Sequence, residues 1–431
     1  MTAMTRTAVL DDLVQRDLVA SATDLGALRE ELANGAITMY CGFDPTAPSL
    51  HMGNLAQIVT MMRFQRAGHK PLALVGGATG LIGDPRMSAE RNLNAIDVVR
   101  EWEAKIKAQL EQFFDFSGEF ACRMVNNYDW TKDVTAIDFL RDIGKHFGVN
   151  RMLDREAVSA RLNSTGISYT EFSYQLLQAF DYLELYRRYG CKLQTGGSDQ
   201  WGNITAGTDL IRRVESVTVH ALTTPLITKA DGTKFGKTES GTVWLSADLT
   251  SPYAFFQFWL NADDRDLPQL LNTFSLRPFH EVAQLLVAAA ERPHERAAQR
   301  SLAQEITTLV HGAEATAQAE AAAAALFGGG DLHAINAATL GAALAEAGLH
   351  EIPRASLTEG RLPSAADLLV ATGLSKSKGE ARRTVAEGGV SVNNVKIDDA
   401  DAGIDENLLI HKRFLVIRRG KKNFGGVEVT A

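Results

Sequence analysis

Tyr40-Cys41-Gly42-Phe43-Asp44-Pro45-Thr46-Ala47-Pro48-Ser49-Leu50-His51-Met52-Gly53-Asn54 sits at the junction of two kinds of hydrophobic periodicity. On its N-terminal side, Ile37–Phe43 is a short apolar run that predicts a buried strand, ended by Pro45 and Pro48. On its C-terminal side, Gly53–Gln65 carries Leu55, Ile58, Val59, Met62 and Phe64 at roughly helical spacing, with Gly68 just past the end. Pro71–Val75 is a second apolar strand and runs into Gly76-Gly77-Ala78-Thr79-Gly80. Strand, helix and strand with short connections predict a right-handed βαβ unit in a parallel sheet. Ala121–Val125 and Lys192–Gln194 predict two more strands, the second followed by Gly196-Gly197-Ser198 and a helical segment at Ile204–Val214. Residues 1–245 are therefore expected to form an open α/β domain with a parallel sheet. Such sheets bind ligands at the carboxyl ends of their strands, which is where the quoted stretch lies.

Beyond residue 245 the pattern changes. Tyr253–Leu271 is aromatic and helical, and Glu281–Leu309 places Leu, Val and Ile at helical spacing among alternating charges. Gly312–Ala325 is alanine-rich and ends at Phe327-Gly328-Gly329-Gly330, which predicts a solvated helix followed by a breaker. The expected organisation is an all-α domain over 246–330, a linker over 331–361, and a small α+β module over 362–431. In that module, helices are expected at Ala365–Thr372 and Ser377–Glu387. Strands are expected around Val390, Val392, Val395 and Ile397 and at Phe414–Ile417. The formal net charge of −8 is uneven. Residues 361–431 hold 12 Lys and Arg against 9 Asp and Glu, a net +3, and the other 360 residues hold 32 against 43, a net −11. A basic module behind an acidic body predicts an anionic partner for the tail, with Lys376, Lys378, Arg382 and Arg383 clustered for it.

At 431 residues, with 45% hydrophobic and 22% charged side chains, the composition excludes a wholly disordered chain. No apolar run approaches the roughly 18 residues of a membrane span, and the first ten residues show no secretory pattern. Cys41, Cys122 and Cys191 are far apart, so neither a disulfide framework nor a CxxC metal site is expected. The cytosol is the expected compartment.

Five segments carry chemistry. In the quoted loop, a helix N-terminus offers free N–H groups and partial positive charge to phosphate, and His51 can donate to a phosphate oxygen. In Gly76–Pro85, glycines allow close approach, and Asp84 can hold an ammonium group. Thr233-Lys234-Phe235-Gly236-Lys237-Thr238 follows an Asp-Gly turn and places two lysines on a loop, a clamp for polyphosphate. It misses the Walker phosphate loop by one residue between the glycines, so a P-loop NTPase is excluded. Tyr174, Gln178 and Asp181 share one helix face. Gly196–Asn203 follows a strand, and its Asp199 can accept from ribose hydroxyls.

In their order and spacing, these segments resemble the bacterial-type tyrosyl-tRNA synthetases, members of the class I aminoacyl-tRNA synthetases. His51-Met52-Gly53-Asn54 is similar to the class motif His-Ile-Gly-His, and Lys234-Phe235-Gly236-Lys237-Thr238 to Lys-Met-Ser-Lys-Ser. The resemblance spans the whole chain and implies a Rossmann-like catalytic domain, a helical anticodon-side domain, and a tail like a small RNA-binding module of a ribosomal protein. It implies that Tyr40 and Asp181 bind the phenol hydroxyl of tyrosine. Asp84, Tyr174 and Gln178 would hold its ammonium group, with Gln200 near its carboxylate. Cys41, Asn54 and Asp199 would contact ribose, and Asp44 and Gly53 would lie against ATP. Thr46, His51, Lys234, Lys237 and Thr238 would stabilise the phosphates. It further implies ATP as substrate, magnesium accompanying it without a dedicated protein site, tRNA(Tyr) as partner, and a homodimer with Phe139–Met152 as candidate interface.

Two departures stand out. Asn54 replaces the second histidine of the class motif but can still donate to a ribose oxygen. The run Asp84-Pro85-Arg86-Met87-Ser88-Ala89-Glu90-Arg91 lacks the lysine found there in many family members, leaving Arg86 or Arg91 as the available cation. The nearest alternative is a tryptophanyl-tRNA synthetase, against which Tyr40 with Asp181 and the basic tail both speak. An RNA-independent nucleotidyltransferase and a non-catalytic RNA-binding protein are the other readings.

Overall fold

The computed structural model describes residues 6–85, 94–153, 156–164, 166–233, 235–238, 241–328, 330–420 and 423–431. The chain divides into two compact units. One comprises Met1–Ser246 and Asp263–Glu291, the other Ala247–Ala262 and Arg292–Ala431.

The first unit is built on six strands, β1 (Ser21–Ala22), β2 (Thr38–Phe43), β3 (Lys70–Val75), β4 (Arg123–Asn126), β5 (Cys191–Gly197) and β6 (His220–Thr224). Their order is β1-β6-β5-β2-β3-β4, and every pairing is parallel except that of β1 with β6. From β2 the chain builds outward to β3 and β4 on one side and to β5 and β6 on the other. The order therefore reverses between β2 and β5, and a crevice opens at their carboxyl ends. Both faces of these strands are covered, so Met39, Tyr40, Cys41 and Phe43 in β2 and Leu72–Val75 in β3 are all buried. This is why they read as continuous apolar runs rather than as an alternation.

Among the described residues before 246, the helices of eight residues or more are α1 (Ala8–Gln15), α2 (Leu25–Asn34), α3 (Met52–Arg66), α4 (Ile96–Glu111), α5 (Tyr169–Tyr189) and α6 (Trp201–Glu215). α5 starts at Ser168, whose hydroxyl caps Glu171 N–H, and ends at Gly190 in the left-handed conformation (φ 61°).

The expected all-α domain over 246–330 is not one body. Helix Leu267–Phe274 packs on α3 and, with Phe279–Glu291, belongs to the first unit. The cause is a buried polar anchor. Arg63 pairs with Asp12 at 2.7 Å and donates to the carbonyls of Asn272 and Ser275 at 3.0 and 2.6 Å. Asp12 also holds the buried Arg16 at 2.7 Å. Spacing within one helix cannot reveal such a cross-chain anchor.

In the second unit, helix Pro252–Leu260 packs on Ala297–Gly328, which breaks at Gly312 (φ 85°). The alanine-rich tract is helical, as expected, but not simply solvated: Ala319, Ala322, Ala325 and Leu326 are buried, because small side chains at helical spacing let a neighbour approach closely. The expected linker 331–361 contains helix Ala337–Ala347 and strand Leu349–Pro353. That strand pairs in parallel with Asn423–Thr430 and completes a five-stranded sheet whose other members are Val395–Lys396, Val390–Val392 and Phe414–Arg419. Ser377 caps helix Lys378–Ala386, close to the expected position.

Candidate active site

The crevice between β2 and β5 collects most of the expected residues. Tyr40 lies in the buried middle of β2, and its hydroxyl is buried without a hydrogen-bond partner among the described residues. Its ring stacks at a tilt on Tyr182, 5.2 Å between centroids. Across from it, α5 presents Tyr174, Gln178 and Asp181 on one face, as the spacing predicts. Asp181 is fully buried, and its carboxylate accepts from Asn127 Nδ2 at 2.9 Å and Trp130 Nε1 at 2.8 Å. Burial pushes its pKa up to about 7, against the opposing pull of those two donors. Gln178 Oε1 is buried and has no partner among the described residues. An unpaired hydroxyl, donor and acceptor, and an unpaired amide acceptor beside a carboxylate are costly, about 1–3 kcal/mol each, unless a ligand pairs with them.

Asp44 ties this pocket to the quoted loop. Tyr174 Oη donates to Asp44 Oδ2 and Thr79 Oγ1 to Asp44 Oδ1, both at 2.7 Å. Asn127 donates to Thr79 Oγ1 at 2.8 Å and accepts from Ala78 N–H at 2.7 Å, closing a network from Asp181 to Asp44. Gly76 has no alternative here, because a Cβ would overlap the Asp44 carboxylate and the Thr79 hydroxyl. Asp84 accepts from Gln200 Nε2 at 2.9 Å and Asn203 Nδ2 at 3.1 Å. Tyr174 is therefore engaged with Asp44, and Asp84 with Gln200 and Asn203.

His51 is the N-cap of α3. Its Nδ1 accepts from Gly53 N–H at 3.1 Å, while Asn54 Oδ1 accepts from His51 N–H at 3.0 Å. With Nδ1 an acceptor, the neutral ring carries its proton on Nε2 and is set to donate. The same cap explains why Asn serves at position 54: its oxygen closes a capping box, and its amide nitrogen remains a donor. Thr46 and Asp199 are exposed at the carboxyl ends of β2 and β5. Cys41 is buried, which pushes its thiol up to about 12, so it is an uncharged S–H group.

Lys237 is exposed in a two-residue strand, Lys237–Thr238, paired with Gly241–Thr242. Lys234, Arg86 and Arg91 lie outside the described residues, as does the side chain of Thr238. Of the four cations singled out in the tail, Lys378 pairs with Asp367, and Arg382 pairs with Asp401 at 2.8 Å. Lys376 and Arg383 are exposed and make no ion pair among the described residues.

Sequence reasoning missed Asn127, Trp130 and Thr79. Asn127 directly follows β4, so the rule that crevice residues lie just past parallel strands would have found it. Thr79 lay inside a segment valued for its glycines and for Asp84. Trp130 had no signal of its own.

The sequence model of "tRNA synthetases class I (W and Y)" matches residues 32–328, and that of the "Tyrosine–tRNA ligase SYY-like C-terminal domain" matches 345–427. The tyrosine–tRNA ligase of Streptomyces avermitilis is 59% identical over 426 residues, 98% of this chain and 99% of the relative. The chain belongs to the tyrosine–tRNA ligase family. The ligase of Thermobifida fusca is 56% identical, with 98% and 99% covered. A C-terminally truncated mitochondrial tyrosyl-tRNA synthetase from Coccidioides posadasii superposes with a TM-score of 0.64 at 30% identity, covering 72% of this chain and 90% of that one. Membership of this family agrees with the parallel α/β sheet and with a tail module that begins before residue 349, ahead of the expected 362.

Proposed function

We propose that the chain activates L-tyrosine with ATP, forming tyrosyl-adenylate and pyrophosphate, and then transfers the tyrosyl group to the 3′ end of tRNA(Tyr). The observation that carries this reading is the buried, unpaired Tyr40 hydroxyl facing α5, beside a carboxylate already held by two donors. A phenol hydroxyl can accept from Tyr40 and also donate to the carboxylate; an indole N–H can only donate and a phenyl ring does neither, which supports tyrosine over tryptophan.

In the first step a tyrosine carboxylate oxygen attacks the α-phosphorus of ATP and pyrophosphate leaves. A carboxylate is already a nucleophile, so no protein base is needed. Rate comes from positioning and from donors aimed at the developing phosphate charge. Asp84, Tyr174 and Gln178 hold the substrate ammonium group, and Tyr174 exchanges its bond to Asp44 for that contact. Gln200 lies near the carboxylate, and Cys41, Asn54 and Asp199 take the ribose. Asp44 and Gly53 lie against ATP. Thr46, His51, Lys234, Lys237 and Thr238 bind the phosphates, and magnesium arrives with ATP. In the second step a terminal ribose hydroxyl of the tRNA attacks the acyl carbon and AMP leaves.

The basic tail, with Lys376, Lys378, Arg382 and Arg383, contacts tRNA phosphates. Exposed Ile137, Leu140 and Val149, in and beside Phe139–Met152, support a homodimer interface. No described helix is long and apolar enough to cross a membrane, in keeping with work in the cytoplasm. The test is exchange of labelled pyrophosphate into ATP with tyrosine, tryptophan or phenylalanine, followed by charging of tRNA. Exchange with tyrosine alone is expected; none with any amino acid would overturn the reading.

A further inference from the structure

The two motif segments are strapped together by a short stretch that neither motif contains. Trp244 forms an antiparallel β-bridge with His51, and their ring centroids lie 6.4 Å apart. Leu245 N–H donates to the Leu50 carbonyl at 2.9 Å, and Ser246 N–H donates to Ser49 Oγ at 3.0 Å. Behind this pair stands Gln109 of α4. Its Oε1 accepts from Leu50 N–H at 2.9 Å and its Nε2 donates to Ser49 Oγ at 3.0 Å. Val243 and Leu245 are buried on either side of Trp244.

Lys237 lies on the same piece of chain. Its two-residue hairpin is closed where Val243 N–H donates to the Gly236 carbonyl at 2.9 Å, one residue before Trp244. Gly236 has φ 82°, and a Cβ there would lie 2.8 Å from Met52 Cβ, so its backbone rests on the first residue of α3. The lysine segment thus meets the histidine segment both before and after Lys237.

We propose that Trp244 and Gln109 are positioning residues that hold the His51 imidazole and Lys237 in one fixed relation. Main-chain bridging fixes the two segments against each other, because N–H···O bonds hold donor and acceptor within a narrow range of distance and angle. Two donors acting on one polyphosphate need that fixed relation, and a misplacement of about 1 Å can cost roughly 10²-fold in rate. The inference rests on the adenylation reading above.

The test measures pyrophosphate exchange in Trp244→Ala, Gln109→Leu, Gln109→Glu, His51→Ala and the Trp244→Ala/His51→Ala double variant, with thermal midpoints to check folding. Trp244→Ala and Gln109→Leu should each lower kcat about tenfold while the tyrosine KM stays within about twofold. Gln109→Glu keeps the acceptor for Leu50 N–H and should recover part of the loss. The double variant should be no slower than His51→Ala alone. Losses that multiply, or a tyrosine KM that rises as kcat falls, would overturn the proposal. A second readout needs no activity: the His51 side-chain resonance of nitrogen-labelled, ligand-free protein should shift and titrate differently in Trp244→Ala and Gln109→Leu. An unchanged resonance overturns the strap. A changed resonance in a chain that shows no exchange would leave the strap standing and remove only the adenylation reading.

Discussion

Asp181 carries a proton in the folded protein at pH values where the unfolded chain has released it, since its pKa rises from 3.8 to about 7 on burial. Between these values the native state binds more protons than the unfolded state. Its contribution to stability is therefore complete below about pH 4, declines as pH rises, and is lost above about 7. Denaturation midpoints of wild type should fall between pH 5 and pH 8 by more than those of Asp181→Asn, in which this titration is absent. Asp181→Ala should also erode discrimination against phenylalanine, measured as the ratio of kcat/KM for exchange with the two amino acids; an unchanged ratio would remove the assignment. Tyr40→Phe separates stability from function. It deletes an unpaired buried hydroxyl, so the ligand-free protein should be no less stable, by about 1 kcal/mol in its favour, while tyrosine binding weakens. Lys237→Ala should reduce the activation rate more than tyrosine affinity, because its charge meets the phosphates and not the amino acid; equal losses in pre-steady-state rate and equilibrium binding would contradict that.

The helix face of α5 was legible because side chains three and four apart must share a face whatever the surroundings. The start of α3 lies within one residue of the expected Gly53, and the structure adds a capping box between His51 and Asn54. The turn after β3 was legible only in part. Its glycines mark a close approach, but what approaches Gly76 is the Asp44 carboxylate, 32 positions earlier in the chain. Gly76→Ala should displace that carboxylate and loosen its bonds to Tyr174 and Thr79, at a cost of about 1–3 kcal/mol for overpacking. The expected signature is a lower thermal midpoint together with a raised tyrosine KM in the exchange assay.

For the molecule as a whole, the strand Leu349–Pro353 changes where the tail can be cut. Truncation at 362 would strand it without Asn423–Thr430, whereas truncation at 336 removes the helix and strand with the sheet they pack on. The 336 variant should keep pyrophosphate exchange, lose most aminoacylation, and lose the salt dependence of tRNA binding that phosphate contacts impose. Equal aminoacylation with and without the tail would give the module another purpose. Parallel strands β2 to β5, helices α3, α5 and α6, the carboxyl-end loops and the charge asymmetry follow from local patterns, and the sequence determined them alone; strand β6 and helix α4 were not read from it. The membership of Asp263–Glu291 in the first unit, the partners of Asp181 and Asp44, and the strand inside the expected linker were decided only by tertiary structure. Periodicity reports which face of an element is buried. It carries no term for the distant side chain or carbonyl that will satisfy a polar group once that face is covered.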